Sequence, residues 1–189
     1  SPRSTVGTVT EIYDYLRLIF AKIGKVHCVN CGDVIEKQEL KQLVKRINED
    51  FKEKKIYILS PITKNKKPNL NIISKIKRSG YDLVRVNGEL ISITDSANKK
   101  IQEDSVVDLV IEKIDLLKDK DLNNTLNSSI STALDLSNGF VIVKTVDSDL
   151  EKIYSNQLYC YKCNKNFPVL EPKDFSFNSP SGACMSCGG

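Results

Sequence analysis

No stretch of this 189-residue chain approaches the ~18 consecutive apolar residues that a membrane-spanning helix needs, which excludes an integral membrane protein of that kind. A charged–apolar–small leader pattern is missing too. The phosphate-cradling motif G-x-x-x-x-G-K-[ST] does not occur, so these residues hold no nucleotide in that way. The only histidine, His27, has no nucleophile arranged around it. The acidic residues are scattered as surface charge without a catalytic pairing, and no enzyme emerges from them. There is neither an internal repeat nor a low-complexity tract. The chain opens on Ser1 rather than Met, and Gly188-Gly189 stand directly behind a cysteine pair. It reads as a piece excised from a longer protein.

What is present is enough for a folded body. Hydrophobic residues make up 40% and charged residues 28%, a balance that buries a core and excludes global disorder. The length fits one ordinary domain, or a small domain carrying an insertion. The net charge of +4 hides an asymmetry: 18 Lys and Arg face 10 Asp and Glu in residues 1–94, and 10 face 14 in residues 95–189. Between Lys37 and Arg85 the balance is 14 to 5. Such a face attracts nucleic acid or an acidic protein surface, and it is equally what a lysine-rich solvated surface looks like.

The cysteines narrow the field. All six fall in C-x2-C pairs, Cys28/Cys31, Cys160/Cys163 and Cys184/Cys187. Without a leader, such pairs point to a metal site rather than a disulfide framework. Two thiolates three positions apart on a tight turn grip one Zn²⁺, and two such knuckles complete a tetrahedron. A redox C-x2-C opens a helix after a strand, and three copies do not fit that use.

Hydrophobic periodicity lays out the elements. Thr10 is placed to cap a helix with the stripe Ile12, Leu16, Ile19, Phe20 and Ile23, stopped by Gly24. Leu40, Leu43, Val44, Ile47 and Phe51 predict an amphipathic helix with a basic polar face. Residues 56–59 read as a buried strand ended by Ser60-Pro61. Leu70, Ile73 and Ile76 predict a helix stopped at Gly80. Strands at 83–86 and 90–93 flank Asn87-Gly88, a type I′ hairpin signal. A strand at 106–114, a helix at 122–136 stopped near Asn138-Gly139, and a strand at 140–146 follow. The segment after Cys163 is loop-rich, with Phe175-Ser176-Phe177 as its apolar anchor. The fold class is α+β: a mixed α/β module, inserted between the first two cysteine pairs, on a small zinc-ribbon-containing base.

The opening run Ser1-Pro2-Arg3-Ser4-Thr5-Val6-Gly7-Thr8-Val9-Thr10-Glu11-Ile12-Tyr13-Asp14-Tyr15-Leu16-Arg17 resembles the UvrA family, the damage-sensing ATPase subunits of bacterial nucleotide excision repair. So do Cys160-Tyr161-Lys162-Cys163, Leu170-Glu171-Pro172, Phe175-Ser176-Phe177-Asn178 and Gly182-Ala183-Cys184-Met185-Ser186-Cys187. Between these ends the likeness is looser, and Gly80 to Gly88 fits best. The resemblance implies that residues 1–35 and 157–189 are the zinc-stabilised part of a split ABC signature domain. Residues 36–156 would then be the inserted UvrB-binding domain. ATP and Mg²⁺ would belong to the longer parent chain, itself expected to be a cytoplasmic homodimer that meets damaged DNA and UvrB. Family knuckles commonly read C-P-x-C. Val29, Tyr161 and Met185 stand at the proline position here, which bears on knuckle rigidity and not on the ligands.

Local spacing favours one zinc set, Cys160, Cys163, Cys184 and Cys187, in an array that resembles the finger usually drawn for the family. The set preferred here is Cys28, Cys31, Cys160 and Cys163, because those pairs flank the insertion and a clasp there would hold its two entry strands. Cys184 and Cys187 would then pair with a further C-x2-C that the family carries downstream, beyond Gly189. Arg3, Ser4, Thr5 and Thr8 combine a guanidinium with small hydroxyls, a composition suited to DNA phosphates. For UvrB the candidates are Arg85 and Lys113, supported by Lys64, Lys66 and Lys67. Alternation turns Arg85 away from Val84 and Val86, so it is expected to face solvent or a partner. The competing function is a direct zinc-finger nucleic-acid binder using the basic helix at residues 37–55. A metallohydrolase fits least, since four thiolates leave no open position for water.

Overall fold

The first helical segment shows how local chemistry sets the elements. In the computed structural model, which describes residues 6–63, 76–93, 102, 105–118 and 121–188, a single turn, α1 (Val6–Val9), precedes α2 (Ile12–Ile23). Thr10 does not cap α2. Its hydroxyl donates to the Val6 carbonyl at 2.6 Å and closes α1 instead, while Glu11, at φ 61°, makes the entry to α2. Gly24 ends α2 as expected: its N–H donates to the Phe20 carbonyl at 3.1 Å, and a Cβ there would stand 2.3 Å from that oxygen. No residue of α2 is buried.

The chain divides into two compact units, Ser1–Glu36 with Leu158–Gly189, and Lys37–Gln157. In the first, β1 (Val26–His27) pairs antiparallel with β2 (Val34–Ile35). The second unit opens with α3 (Leu40–Asp50). The Glu39 N–H donates to Gln42 Oε1 at 2.9 Å at its start, and Leu43, Val44, Ile47 and then Phe51 are buried.

Next come β3 (Lys55–Pro61), β4 (Leu83–Val86), β5 (Glu89–Ser92) and β6 (Val107–Asp115), then α4 (Leu122–Leu136), β7 (Phe140–Thr145) and β8 (Glu151–Ser155). The strands form one antiparallel sheet in the order β5-β4-β6-β3-β7-β8. The hairpin turn is as expected, with Asn87 at φ 49° and Gly88 at φ 93°. β3 runs past Leu59 through Ser60 and takes Pro61 as its last residue. The Ile62 N–H donates to the Val107 carbonyl, so the proline nitrogen faces the β7 side, where pairing has already stopped at Leu59. Of the expected helix at 70–80, residues 70–75 lie outside the described residues. Residues 76–78 are helical, and Gly80 follows at φ 84°.

The two faces of the sheet differ. Ile56 and Ile58 are fully buried, and Ser60 on the same face donates to the Ala133 carbonyl of α4 at 2.9 Å. Tyr154 reaches Asp50 at the end of α3 at 2.6 Å. On the opposite face Leu59, Val110 and Ile142 form a cluster with Tyr57, Leu83 and Ile153. Among the described residues that cluster is built from strand side chains alone. A bulge places an extra residue, Ile111, on β6 between the pairs Ile58↔Glu112 and Leu59↔Val110, which adds local twist.

The chain then returns to the first unit through β9 (Tyr159–Cys160) and β10 (Lys165–Asn166), again antiparallel. A 3₁₀ turn, Pro172–Phe175, follows. It brings Phe175 to 6.0 Å from Phe20 of α2 and Phe177 to 5.0 Å from Tyr13, ring centre to ring centre. The architecture is α+β, with antiparallel sheets and separate helices.

Candidate functional site

Each two-stranded ribbon of the first unit carries a knuckle. At the first, the Cys28 N–H donates to the Asp33 carbonyl and the Gly32 N–H to the Cys28 carbonyl, both at 2.8 Å. Gly32 supplies the required φ of 77°. His27 is not part of the sulfur cluster; its Nδ1 lies 2.9 Å from the Gly32 carbonyl oxygen and braces the turn. At the second, Asn164 at φ 52° does the same turning for Cys160 and Cys163.

The two knuckles bring Cys28, Cys31, Cys160 and Cys163 together, with all four sulfurs within 4.8 Å of one another. Cys31 and Cys160 stand 3.6 Å apart, far beyond a disulfide bond and near the ~3.8 Å edge of a tetrahedron with metal–sulfur bonds of ~2.3 Å. Cys28 and Cys160 are buried, and Ile35, Val26, Leu158 and Phe167 pack around the group. Burial opposes ionisation of Cys28, but N–H groups of Asn30 and Cys31 and neighbouring thiols outweigh it and bring its pKa to about 6. At Cys31 the Asp33 N–H favours the thiolate. Burial and the adjacent sulfurs outweigh that and push it up to about 12. Such mutual opposition among packed thiols is what a bound cation relieves. The donor set, spacing and apolar shell fit one divalent metal held by four sulfurs, as Zn²⁺ is.

Cys184 and Cys187 do not join this group; both are exposed. Their turn nonetheless repeats the first knuckle, with the Gly188 N–H donating to the Cys184 carbonyl at 2.8 Å. Backbone N–H groups of Ser186 and Cys187 lower the Cys184 pKa.

Of the expected contact residues, Arg3, Ser4, Thr5, Lys64, Lys66 and Lys67 lie outside the described residues, and Thr8 falls in α1. Lys113 is exposed on β6, its ammonium 5.6 Å from the ring centre of Tyr57, its cross-strand neighbour. Arg85 differs from expectation. It does turn away from Val84 and Val86, which pack with Val107 and Leu109, but its own side is closed as well and the residue is 8% exposed. Its Nε and Nη2 donate to Asp108 Oδ2, each at 2.8 Å, and Nη1 pairs with Glu151. Burial disfavours the guanidinium charge, yet Glu151 and Asp108 more than offset it and raise the Arg85 pKa. Strand alternation assigns a side chain to a face without saying whether the face is open. Sequence reasoning also missed β8, and with it Glu151, because Glu151-Lys152-Ile153-Tyr154-Ser155 is short and only weakly alternating.

Residues 38–147 match the sequence pattern of the UvrA interaction domain. Along its whole length the chain is similar to proteins named UvrABC system protein A: 39% identical to that of Streptomyces coelicolor, 40% to that of Methanothermobacter thermautotrophicus and 41% to that of Malacoplasma penetrans. It spans about one fifth of those relatives, covering 19%, 20% and 20% of them respectively.

Proposed function

Because this chain belongs to the UvrA family and carries its interaction domain, we propose that it serves excision repair as a docking module for UvrB. The observation that carries this reading is Lys113. It is an exposed cation seated beside Tyr57 on a sheet face that no described helix covers. A charge held on a strand loses less entropy on docking than one on a loop. In the same reading Lys64, Lys66 and Lys67 steer encounter, and Arg3, Ser4, Thr5 and Thr8 meet DNA phosphates.

Cys28, Cys31, Cys160 and Cys163 would hold Zn²⁺ as a structural clasp. The ion would supply cross-linking alone, since four thiolates leave no position for a substrate. The chain's own residues shape the knuckles and exclude water. ATP hydrolysis, dimer formation and a cytoplasmic setting would belong to the parent protein.

Binding of UvrB and of duplex DNA to the chain, each measured at two salt concentrations, tests the proposal. UvrB binding weakened severalfold by Lys113→Glu is expected. Salt-steep DNA binding with no UvrB binding would favour a nucleic-acid finger instead. A change of less than about twofold, ~0.4 kcal/mol, would remove Lys113 from the interface.

A further inference from the structure

Arg85 and Glu151 are joined although their strands are far apart in the sheet. In the order β5-β4-β6-β3-β7-β8, three strands separate β4 from β8. Four steps in a flat sheet cover about 19 Å, farther than an arginine and a glutamate reach together. Their ion pair therefore requires the sheet to curl until β4 and β8 converge over one face. On the same face Leu83 of β4 and Ile153 of β8 pack on the Leu59–Val110–Ile142 cluster. The bulge at Ile111 supplies local twist in the strand between.

The chemistry suits a tie. The planar fork of arginine serves two carboxylates at once: Nε and Nη2 hold Asp108 on the adjacent strand, and Nη1 and Nη2 reach across to Glu151. Asp108 is 3% exposed, so Arg85 is fixed before it reaches β8. Glu151 stands opposite Lys144 in register, and Lys144 is turned to Asp149 at 3.4 Å. The curled face also carries Tyr57, against which Lys113 rests.

We infer that Arg85 and Glu151 are positioning residues: their cross-sheet ion pair sets the curl of the sheet and so the arrangement of the Lys113–Tyr57 face offered to the partner. This rests on the docking role proposed above, and its test separates the two. Glu151→Ala breaks the tie and leaves Arg85 paired with Asp108, so the variant keeps its buried charge compensated. Arg85→Lys, which keeps the charge and loses the fork, is the second variant.

Hydrogen exchange on the chain should show β8 amide protection falling about tenfold in Glu151→Ala, with the β3–β6 ladder unchanged. UvrB should dissociate severalfold faster, and Lys113→Ala should cost less affinity in the Glu151→Ala background than in the wild type. Arg85→Lys should fall between. Unchanged β8 protection would overturn the tie. Looser β8 with unaltered UvrB dissociation would overturn the positioning role while leaving Lys113 docking intact. If Lys113→Ala itself has no effect, the docking reading falls, and the tie is then decided by β8 protection alone.

Discussion

Single residues carry the clearest chemistry in this chain. Cys31 completes the four-sulfur cluster, whereas Cys184 stands exposed outside it. Cys31→Ser should therefore release a bound metal ion that Cys184→Ser retains, as read by metal analysis of the purified variants. Zinc retained by Cys31→Ser and lost by Cys184→Ser would reverse the assignment. Asp50 offers a second residue-scale test. Burial raises its pKa, but the Tyr154 hydroxyl and the Lys152 ammonium outweigh it and hold the carboxyl below its ordinary value. A folded-state pKa below the unfolded one gives stability that is present above about pH 4 and lost as pH falls through the lower folded value. Asp50→Asn should thus lower stability at pH 6 and have a smaller effect at pH 3, read from urea unfolding at the two pH values. An equal loss at both would show that ionisation of Asp50 is not what matters.

At the scale of elements, local sequence decides wherever it leaves the backbone no choice. Asn87 and Gly88 both take positive φ, and with them the register Val86↔Glu89 to Leu83↔Ser92 is fixed. A side chain at Gly88 meets no neighbour, so the cost of Gly88→Ala is conformational, about 1 kcal/mol. Urea unfolding of that variant should show a lower midpoint and an unchanged slope. A shift in slope would mean that the hairpin had re-formed differently. The helix α2 makes the opposite point. Its apolar stripe reads correctly as helical, yet Ile12, Leu16, Ile19, Phe20 and Ile23 are between 43% and 76% exposed. Periodicity reports which face is apolar, and only packing reports whether it is covered.

For the whole molecule, the two units rest on different physics. Lys37–Gln157 has a core of Leu43, Ile47, Phe51, Ile56, Ile58, Leu126 and Ile130, all fully buried. The other unit has short ribbons around four sulfurs. In so small a body, the binding free energy of a metal held by those sulfurs would be folding free energy. A strong chelator should therefore abolish amide protection in β1, β2, β9 and β10 and leave the β3–β6 ladder protected. Lowering the pH should have the same effect as chelation, since protons compete with the metal for thiolates. Simultaneous loss of protection in both units would show that they fold as one.

The sequence by itself determined the antiparallel hairpin, α3, the limits of α4 at Leu122–Leu136 and the pairing of cysteines into knuckles. All of these depend on neighbours within a few residues, through φ preference, side-chain period or turn chemistry. The position of two cysteine pairs either side of the insertion favoured Cys28 and Cys31 with Cys160 and Cys163, and tertiary structure brings those four together across more than a hundred residues. Tertiary structure alone decided that Thr10 serves α1 rather than α2, and that Arg85, on the face alternation gave it, is enclosed with Asp108 and Glu151. That last outcome depends on the curl of six strands, a property of the assembled sheet that no local pattern along the chain encodes.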